Sequence, residues 1–192
     1  MPGCSKSSEP NQSKSDSGAQ SQPDAQVSQA KGQCPPPPPS KNIDWSSGST
    51  SKGNCYRYAC DDPKKPGEDH SPFPGGSDPG RHITCKDIMD GARKQGAKDP
   101  DSSGCCQKGW RKIAGVVQDK SHPGADNDFH WYRQEADGTW SHKRGNTAAS
   151  KVDAANHPIT DPEKANRKYP GSDDYDGFCG YLCVADNMDA DK

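Results

Sequence analysis

The sequence predicts an α+β domain in which two helices precede an antiparallel sheet, behind a disordered N-terminal tail. Three observations support this class: a low apolar content, two capped helical patterns, and four short β-rich runs in the second half. Of 192 residues only 27% are apolar and 7% aromatic, whereas 20 are Gly and 18 are Pro. Such a chain can bury a core over only part of its length.

The tail is predicted to span residues 1–50 and to be dispensable. Apart from Val27, Ile43 and Trp45, this segment contains almost no apolar side chains, and its Ser, Gln, Pro, Lys and Asp residues follow no period. The run Pro35–Pro39 favours a short polyproline II spacer, with binding to an SH3 or WW groove as the alternative. A single small cysteine-rich α+β domain is therefore expected over residues 51–192, with its protease-resistant core beginning near Ser51.

Two helices are expected at the start of the domain. Asn54 is a favourable N-cap for the run CYRYAC, so Cys55 should be the first helical residue. Thr84 is a possible N-cap for ITCKDIMDGARKQG, whose apolar residues recur at helical spacing up to Gly96.

Four strands should follow, the middle two forming a hairpin through EADG. Their sequences are GWRKIAGVVQD (109–119), DFHWYRQ (128–134), TWSHKR (139–144) and FCGYLCVAD (178–186). Residues 146–177 are polar and rich in turn signals, which predicts a long excursion with little regular structure. The hairpin aromatics should form core, with a carbohydrate- or peptide-stacking platform as the alternative; they are Phe129, Trp131, Tyr132 and Trp140.

Seven of the nine cysteines fall within the predicted domain, and most are expected to form disulfides. Cys179 and Cys183 lie four residues apart on one strand, roughly 13 Å from each other, which is too far for a mutual bond. Each should pair with one of Cys60, Cys85, Cys105 and Cys106. No second Cys/His pair has zinc-ligand spacing, so no metal site is expected.

Charge, hydropathy and cysteine content limit the classes of partner and the cellular compartment that can be expected. The net charge is −2 without a basic stripe, which argues against nucleic acid, and no apolar run is long enough to span a membrane. The cysteine content favours an extracellular protein, although the first residues lack the apolar segment of a signal peptide. Nothing in the sequence indicates a cofactor or fixes an oligomeric state.

Cys55, His130 and His142 form a candidate catalytic set. A thiol at a helix start gains from the dipole, which should lower its pKa, and N–H groups beside Asn54 could bind an oxyanion. Cys55 would be the nucleophile, His130 the base and His142 the residue that orients the base. The expected substrate is a peptide or another amide. A structural or disulfide-bonded Cys55 is the alternative.

The hairpin loop decides whether both histidines can take part. A two-residue turn at Asp137-Gly138 would pair Arg133 with His142 and place the histidines on opposite faces. A three-residue loop, 136–138, would instead pair Tyr132 with His142, and His130 with Arg144. The histidines would then share a face as diagonal neighbours, with His130 close to the Cys55 sulfur. The sequence permits both loops, and we expect the longer one.

The order of these three residues resembles that of papain-like cysteine hydrolases, in particular the NlpC/P60 group of cell-wall peptidases. Those enzymes combine a Cys at a helix start with a His on a strand and a third polar residue, often His, on the next strand. The resemblance implies a small papain-like domain and the roles given above for Cys55, His130 and His142. Here the cysteine motif is NCYRYA instead of the usual DCSG type.

A second resemblance lies in the amino-acid sequence of several segments of the domain. The segments NCYRYA, DFHWYRQEADGTWSHKRG, HPITDPEKANR and FCGYLCV resemble a family of small proteins, some of which are named after insoluble matrix proteins of mollusc shell. That resemblance implies a secreted, non-enzymatic structural or matrix protein, in which the same residues only stabilise a disulfide-rich domain. The two resemblances are alternatives.

Overall fold

The two helices and four strands lie where the sequence predicts them. The computed structural model describes residues 33–41, 43–46, 53–65, 71–120, 126–145, 147–171 and 174–191. In chain order the elements are α1 (Cys55–Ala59), α2 (Cys85–Lys94), β1 (Trp110–Val117), β2 (Phe129–Gln134), β3 (Trp140–His142) and β4 (Gly177–Ala185).

Both helices begin at the predicted caps. The Asn54 side-chain oxygen accepts hydrogen bonds from the backbone N–H groups of Tyr56 and Arg57, each at 3.1 Å. Thr84 and Asp87 form a reciprocal capping box at the start of α2. Each cap supplies partners to N–H groups that a helix leaves unbonded in its first turn, which is why these short helices start at these residues.

The four strands form one antiparallel sheet in the order β3-β2-β1-β4. The helices pack on one face against side chains such as Ile113, Trp131 and Leu182. The long segment between β3 and β4 covers the other face with Ile159, Tyr169 and Tyr175. In its described residues this segment contains only isolated bridges, as expected. The α+β class is confirmed, but α1 is little more than one turn, so the domain is mostly sheet and not a pair of substantial helices followed by a sheet.

Residues 33–46 belong to the folded part, so the predicted boundary near residue 51 is too late. Trp45 is only 5% exposed and packs edge-on against Tyr58. The Lys41 N–H donates to Asp61 at 2.6 Å, and the Pro38 carbonyl accepts from Arg111 at 3.0 Å. A few anchoring side chains fix a segment whose average composition predicts disorder. Residues 1–32 lie outside the described residues, and the tail stays a prediction there.

A buried ionic cluster lies beneath this segment. Arg133 forms ion pairs with Asp61 and Glu135, each at 2.9 Å, and Arg111 lies 3.8 Å from Asp61. Because Asp61 follows α1, Arg111 lies on β1 and Arg133 on β2, the cluster joins the first helix to the sheet. Burial of these charges is tolerated because they are paired and hydrogen-bonded.

Three disulfides join distant parts of the chain: Cys34–Cys105, Cys85–Cys179 and Cys106–Cys183. The prediction that Cys179 and Cys183 each pair with a cysteine from the helical half is confirmed. The prediction that Cys60 could form a disulfide is wrong. Cys60 is a buried free thiol, and Cys105 bonds to Cys34 of the N-terminal segment. Within the described residues no helix is long and apolar enough to cross a membrane, and no cluster of metal-ligating side chains occurs.

Candidate active site

The β2–β3 hairpin has the three-residue loop that places both histidines on one face. Tyr132 pairs with His142, as expected for a loop of residues 136–138. The Gly138 N–H donates to the Glu135 carbonyl at 2.8 Å, and Gly138 has φ of +81°, the left-handed conformation this loop requires. Pairing ends at His142, so the ladder contact between His130 and Arg144 does not form.

His130 and His142 are joined in a hydrogen-bonded relay that fixes both tautomers. His130 Nε2 lies 2.9 Å from His142 Nδ1, and His142 Nε2 lies 3.1 Å from the Val152 carbonyl oxygen. Since a carbonyl only accepts, His142 carries its proton on Nε2 and accepts at Nδ1. His130 must then donate from Nε2, which leaves its Nδ1 as a free base. No described residue forms a hydrogen bond with that nitrogen.

Three tyrosines enclose the relay. Tyr175 stacks on His130 with ring centroids 5.2 Å apart, Tyr132 stacks on His142 at 5.1 Å, and the Tyr169 hydroxyl lies 3.4 Å from His142 Nε2. His130 and His142 are 1% and 2% exposed. Burial lowers the pKa of His142 to about 4 and the pKa of His130 well below its usual value. Both imidazoles are therefore neutral near pH 7, the form in which His130 can accept a proton.

Cys55 is the first residue of α1, as predicted, and its sulfur lies against the edge of β2. The thiol donates a long hydrogen bond of 3.9 Å to the Phe129 carbonyl, which points away from β1 on a stretch of β2 that β3 leaves unpaired. The expected lowering of the thiol pKa is wrong for this resting state. Burial raises the pKa of Cys55, and the Asp128 charge raises it further, outweighing the N–H groups at the helix start. The thiol is therefore protonated.

Cys55 and His130 line the same cleft of about 290 Å³. Its other lining residues are Asn54, Ser71, Phe73, Asp78, Asp128, Phe129, Gly145 and Tyr175. Among the described residues no hydrogen bond joins Cys55 to His130, and the sulfur bonds instead to the carbonyl just before that histidine. The expected sulfur–imidazole contact is thus not formed, because Cys55 packs on the helix face of the sheet whereas His130 lies against Tyr132 and Tyr175 on the opposite face. The two residues meet only at the cleft beside the open edge of β2, and catalytic contacts often tighten there only when substrate is bound.

Asn54 acts as a helix cap and is held in place by its own side chain. Its oxygen occupies the N–H groups of Tyr56 and Arg57, and its Nδ2 donates to the Pro72 carbonyl at 3.1 Å. Those two N–H groups are consequently not open to an oxyanion, which corrects the expectation for this part of the helix start.

Several residues near the site carried no signal in the sequence. Tyr169 and Tyr175 lie in the irregular excursion, and their aromatic character in a polar stretch is the one local hint of a buried role. Asp128 lines the cleft and accepts a hydrogen bond from Tyr175 at 2.8 Å. Lys143 is buried beside the site, although lysine is among the residues least often found inside proteins.

Comparison with known proteins gives one partial similarity. The chain is 42% identical over 57 residues to a protein named insoluble matrix shell protein 1, from Ruditapes philippinarum. The aligned part covers 30% of this chain and 35% of that relative, so the chain spans about a third of its length. No family model matches the chain, and no solved structure matches it. The similarity favours the matrix-protein alternative and offers no support for a papain-like hydrolase.

Proposed function

We propose that the cleft is the active site of a small cysteine hydrolase acting on a peptide or another amide. The observation that carries the proposal is the relay from the Val152 carbonyl through His142 to His130. It leaves an unprotonated nitrogen on His130, which lines the same cleft as the free thiol of Cys55. A nucleophile, a base and a residue that orients the base are the three parts such a reaction needs. The papain-like classification stays a prediction from the motif order.

The reaction would start from the neutral thiol and imidazole. As the Cys55 sulfur bonds to the amide carbonyl carbon, its proton passes to His130 Nδ1 and the carbonyl oxygen becomes negatively charged. Collapse of this adduct expels the amine, which takes the proton from His130 and leaves an acyl thioester on Cys55. Water then attacks the thioester while His130 accepts a proton from it and returns one to the sulfur. The products are an acid, an amine and the original enzyme.

His142 would hold His130 in position without touching the substrate. Its Nδ1 accepts from His130 and its Nε2 is anchored on the chain at Val152. When His130 becomes protonated, the same hydrogen bond stabilises the imidazolium. A cleft of about 290 Å³ is at the lower end of the range for small-molecule pockets, which favours recognition of a few groups around the scissile bond.

The test compares the two free thiols of the same protein. Both thiols are buried in the core, but Cys55 also lines the cleft, so iodoacetamide at pH 7.5 should label Cys55 at least about tenfold faster, as mass spectrometry would show. His130→Ala should slow this labelling. In hydrolysis assays on a mixture of short peptide amides, Cys55→Ala and His130→Ala should abolish turnover, whereas His142→Ala should retain a fraction. Equal, slow labelling of both thiols in the folded protein would contradict the proposal.

A second candidate is a secreted, non-enzymatic matrix protein. The partial similarity to an insoluble shell matrix protein supports it, and so do three disulfides, which form and persist in oxidising compartments. In this function Cys55 and the histidines only pack the domain. Cys55→Ser and His130→Gln would then change thermal stability alone, and the wild-type protein would hydrolyse none of the amides.

A further inference from the structure

Lys143 is a buried cation beside the proposed nucleophile. Its side chain is 1% exposed, and its ammonium donates to the Gly53 carbonyl at 3.3 Å and to the Gly145 carbonyl at 2.6 Å. No carboxylate in the described part of the chain forms an ion pair with it. Burying an ammonium costs several kcal/mol unless an opposite charge or good acceptors compensate it, so its position calls for an explanation.

The two carbonyls hold this ammonium between the chain just before α1 and the wall of the cleft. Gly53 lies two residues before Cys55 in the chain, and Gly145 is part of the cleft wall that also contains Cys55. β3 separates from β2 after His142, and the Cys55 sulfur lies beside the part of β2 exposed by that separation. Lys143 is the residue at which the separation begins. The ammonium is therefore fixed near the start of α1 and the cleft wall, where its charge interacts with Cys55.

We propose that Lys143 is the counter-charge of the Cys55 thiolate and of the anionic adduct formed from it. This rests on the proposed function, whose thiol is neutral at rest and becomes negatively charged only while it reacts. Lys143 would stabilise the negative charge that forms once the thiol proton has moved to His130. It is a positioning and electrostatic residue, not a proton carrier, because its ammonium stays bonded to two carbonyls. Burial lowers the Lys143 pKa, whereas the nearby thiol raises it, as mutual attraction requires.

Other charged or titratable groups also face this thiol and oppose or share the effect. Asp128 and Asp78 line the cleft, so their negative charges disfavour a thiolate. The remaining groups are His130 from β2, Tyr175 from the segment before β4, and Cys60 at the end of α1. The nearby cations are Lys143, whose charge interacts with Cys55, and Arg144, whose charge acts on His130 and His142.

The test measures the pH profile of Cys55 alkylation by iodoacetamide, a neutral reagent, in the full chain. Lys143→Gln removes the charge but keeps two N–H donors for the carbonyls, whereas Lys143→Arg keeps the charge. With Lys143→Gln we expect the apparent thiol pKa to rise by about one unit, which means about tenfold slower labelling at pH 7.5. Lys143→Arg should restore most of the rate. Lys112→Gln is the matched control, since Lys112 also donates to a carbonyl, that of Gly104, but its charge interacts with Asp101 and not with Cys55.

A purely structural Lys143 gives a different pattern. Lys143→Gln would then lower the melting temperature and leave the pH profile of Cys55 unchanged, and this result overturns the proposal. If Lys143→Gln does not fold, the comparison moves to Cys55→Asp and Cys55→Asn. The Cys55→Asp protein, which has a carboxylate beside Lys143, should have a higher melting temperature than the Cys55→Asn protein at pH 7.5. This difference should disappear near pH 4, where the carboxylate becomes protonated. A lower melting temperature for Cys55→Asp at pH 7.5 overturns the proposal.

That last comparison requires no reactive thiol. An inert Cys55 in the wild-type protein would end the hydrolase proposal, while the Asp and Asn variants would still report whether the site favours a negative charge.

Discussion

At the scale of single residues, burial decides the charge states of the site. His130, His142 and Cys55 have little contact with water, so the neutral form of each is favoured. The backbone carbonyl of Val152 then determines which nitrogen of each ring carries its proton. The sequence around the histidines does not predict either their burial or the bond to the Val152 carbonyl, because both are provided by the segment that covers the sheet after β3.

The neutral histidine pair predicts a loss of stability in acid. The pKa of His142 is about 4 in the folded protein against an ordinary value of 6.5, so between these values the unfolded chain binds a proton that the folded one does not. Stability should therefore fall as the pH falls from about 6.5 to 4. The gap corresponds to roughly 3 kcal/mol for His142 alone. Urea unfolding at a series of pH values measures this.

His142→Gln is the variant that isolates the effect. It should be less stable than wild type at pH 7 but lose less stability on acidification, because one of the two protonation penalties is gone. The exposed His157→Gln serves as the control and should keep the wild-type slope. A His142→Gln protein with the full wild-type acid dependence would show that other groups cause it.

At the scale of elements, α2 is positioned by direct contact between two backbones. A Cβ at Gly91 would lie 2.1 Å from the Pro74 carbonyl oxygen, and a Cβ at Gly75 would lie 2.8 Å from Gly91 Cα. These glycines let the loop before α2 rest on the helix where a side chain would hold it away. That loop includes Phe73, which packs against Phe129 at the cleft.

Gly91→Ala should destabilise the domain, although alanine is about 1 kcal/mol better than glycine within a helix. The oxygen is a backbone atom and cannot move without shifting the loop, so we expect a net loss of about 1–3 kcal/mol, the usual cost of overpacking. Gly96→Ala, at a position with φ of +108° and no atom within 4 Å of the added carbon, controls for conformational strain alone. A stabilised Gly91→Ala in thermal melts would contradict the close contact.

The elements were predictable where the signal is local. Asn54 and Thr84 are caps by residue type and position, and Gly138 allowed the loop that puts the two histidines on one face. The site was less predictable because it depends on long-range packing. Nothing near Cys55 in the sequence indicates that its helix start is buried, so the expected low thiol pKa was wrong. Lys143 looks like any strand-end lysine until the fold buries it.

At the scale of the whole molecule, two disulfides connect α2 and the loop before β1 to β4, and the third connects the N-terminal segment to that loop. Cys85 and Cys106 bond to the two cysteines of β4, whereas Cys105, next in the chain, bonds to Cys34. The adjacent residues Cys105 and Cys106 thus bond to two different parts of the chain, the N-terminal segment and β4. Spacing excluded a bond between Cys179 and Cys183, but it could not identify Cys34 as a partner, because connectivity does not follow from sequence.

The N-terminal segment supplies a prediction about the limits of the domain. A chain that begins at residue 51 loses the buried Trp45, the Cys34–Cys105 bond and the Lys41 contact with Asp61. Loss of a buried Trp costs about 3–5 kcal/mol and loss of a disulfide typically 2–4 kcal/mol. Domains of this size are stable by about 5–15 kcal/mol, so residues 51–192 alone should be barely folded.

A chain that begins at residue 33 removes none of the described contacts and should melt at the temperature of the full chain in differential scanning calorimetry. Cys34→Ser in the full chain separates the disulfide from the packing. It should be less stable than wild type and more stable than the fragment 51–192, because Trp45 would still cover Tyr58 and the ionic cluster would keep the Lys41 contact. Equal melting temperatures for fragments 33–192 and 51–192 would mean that residues 33–50 add nothing to the domain. Its boundary would then lie near Ser51, as the composition alone suggested.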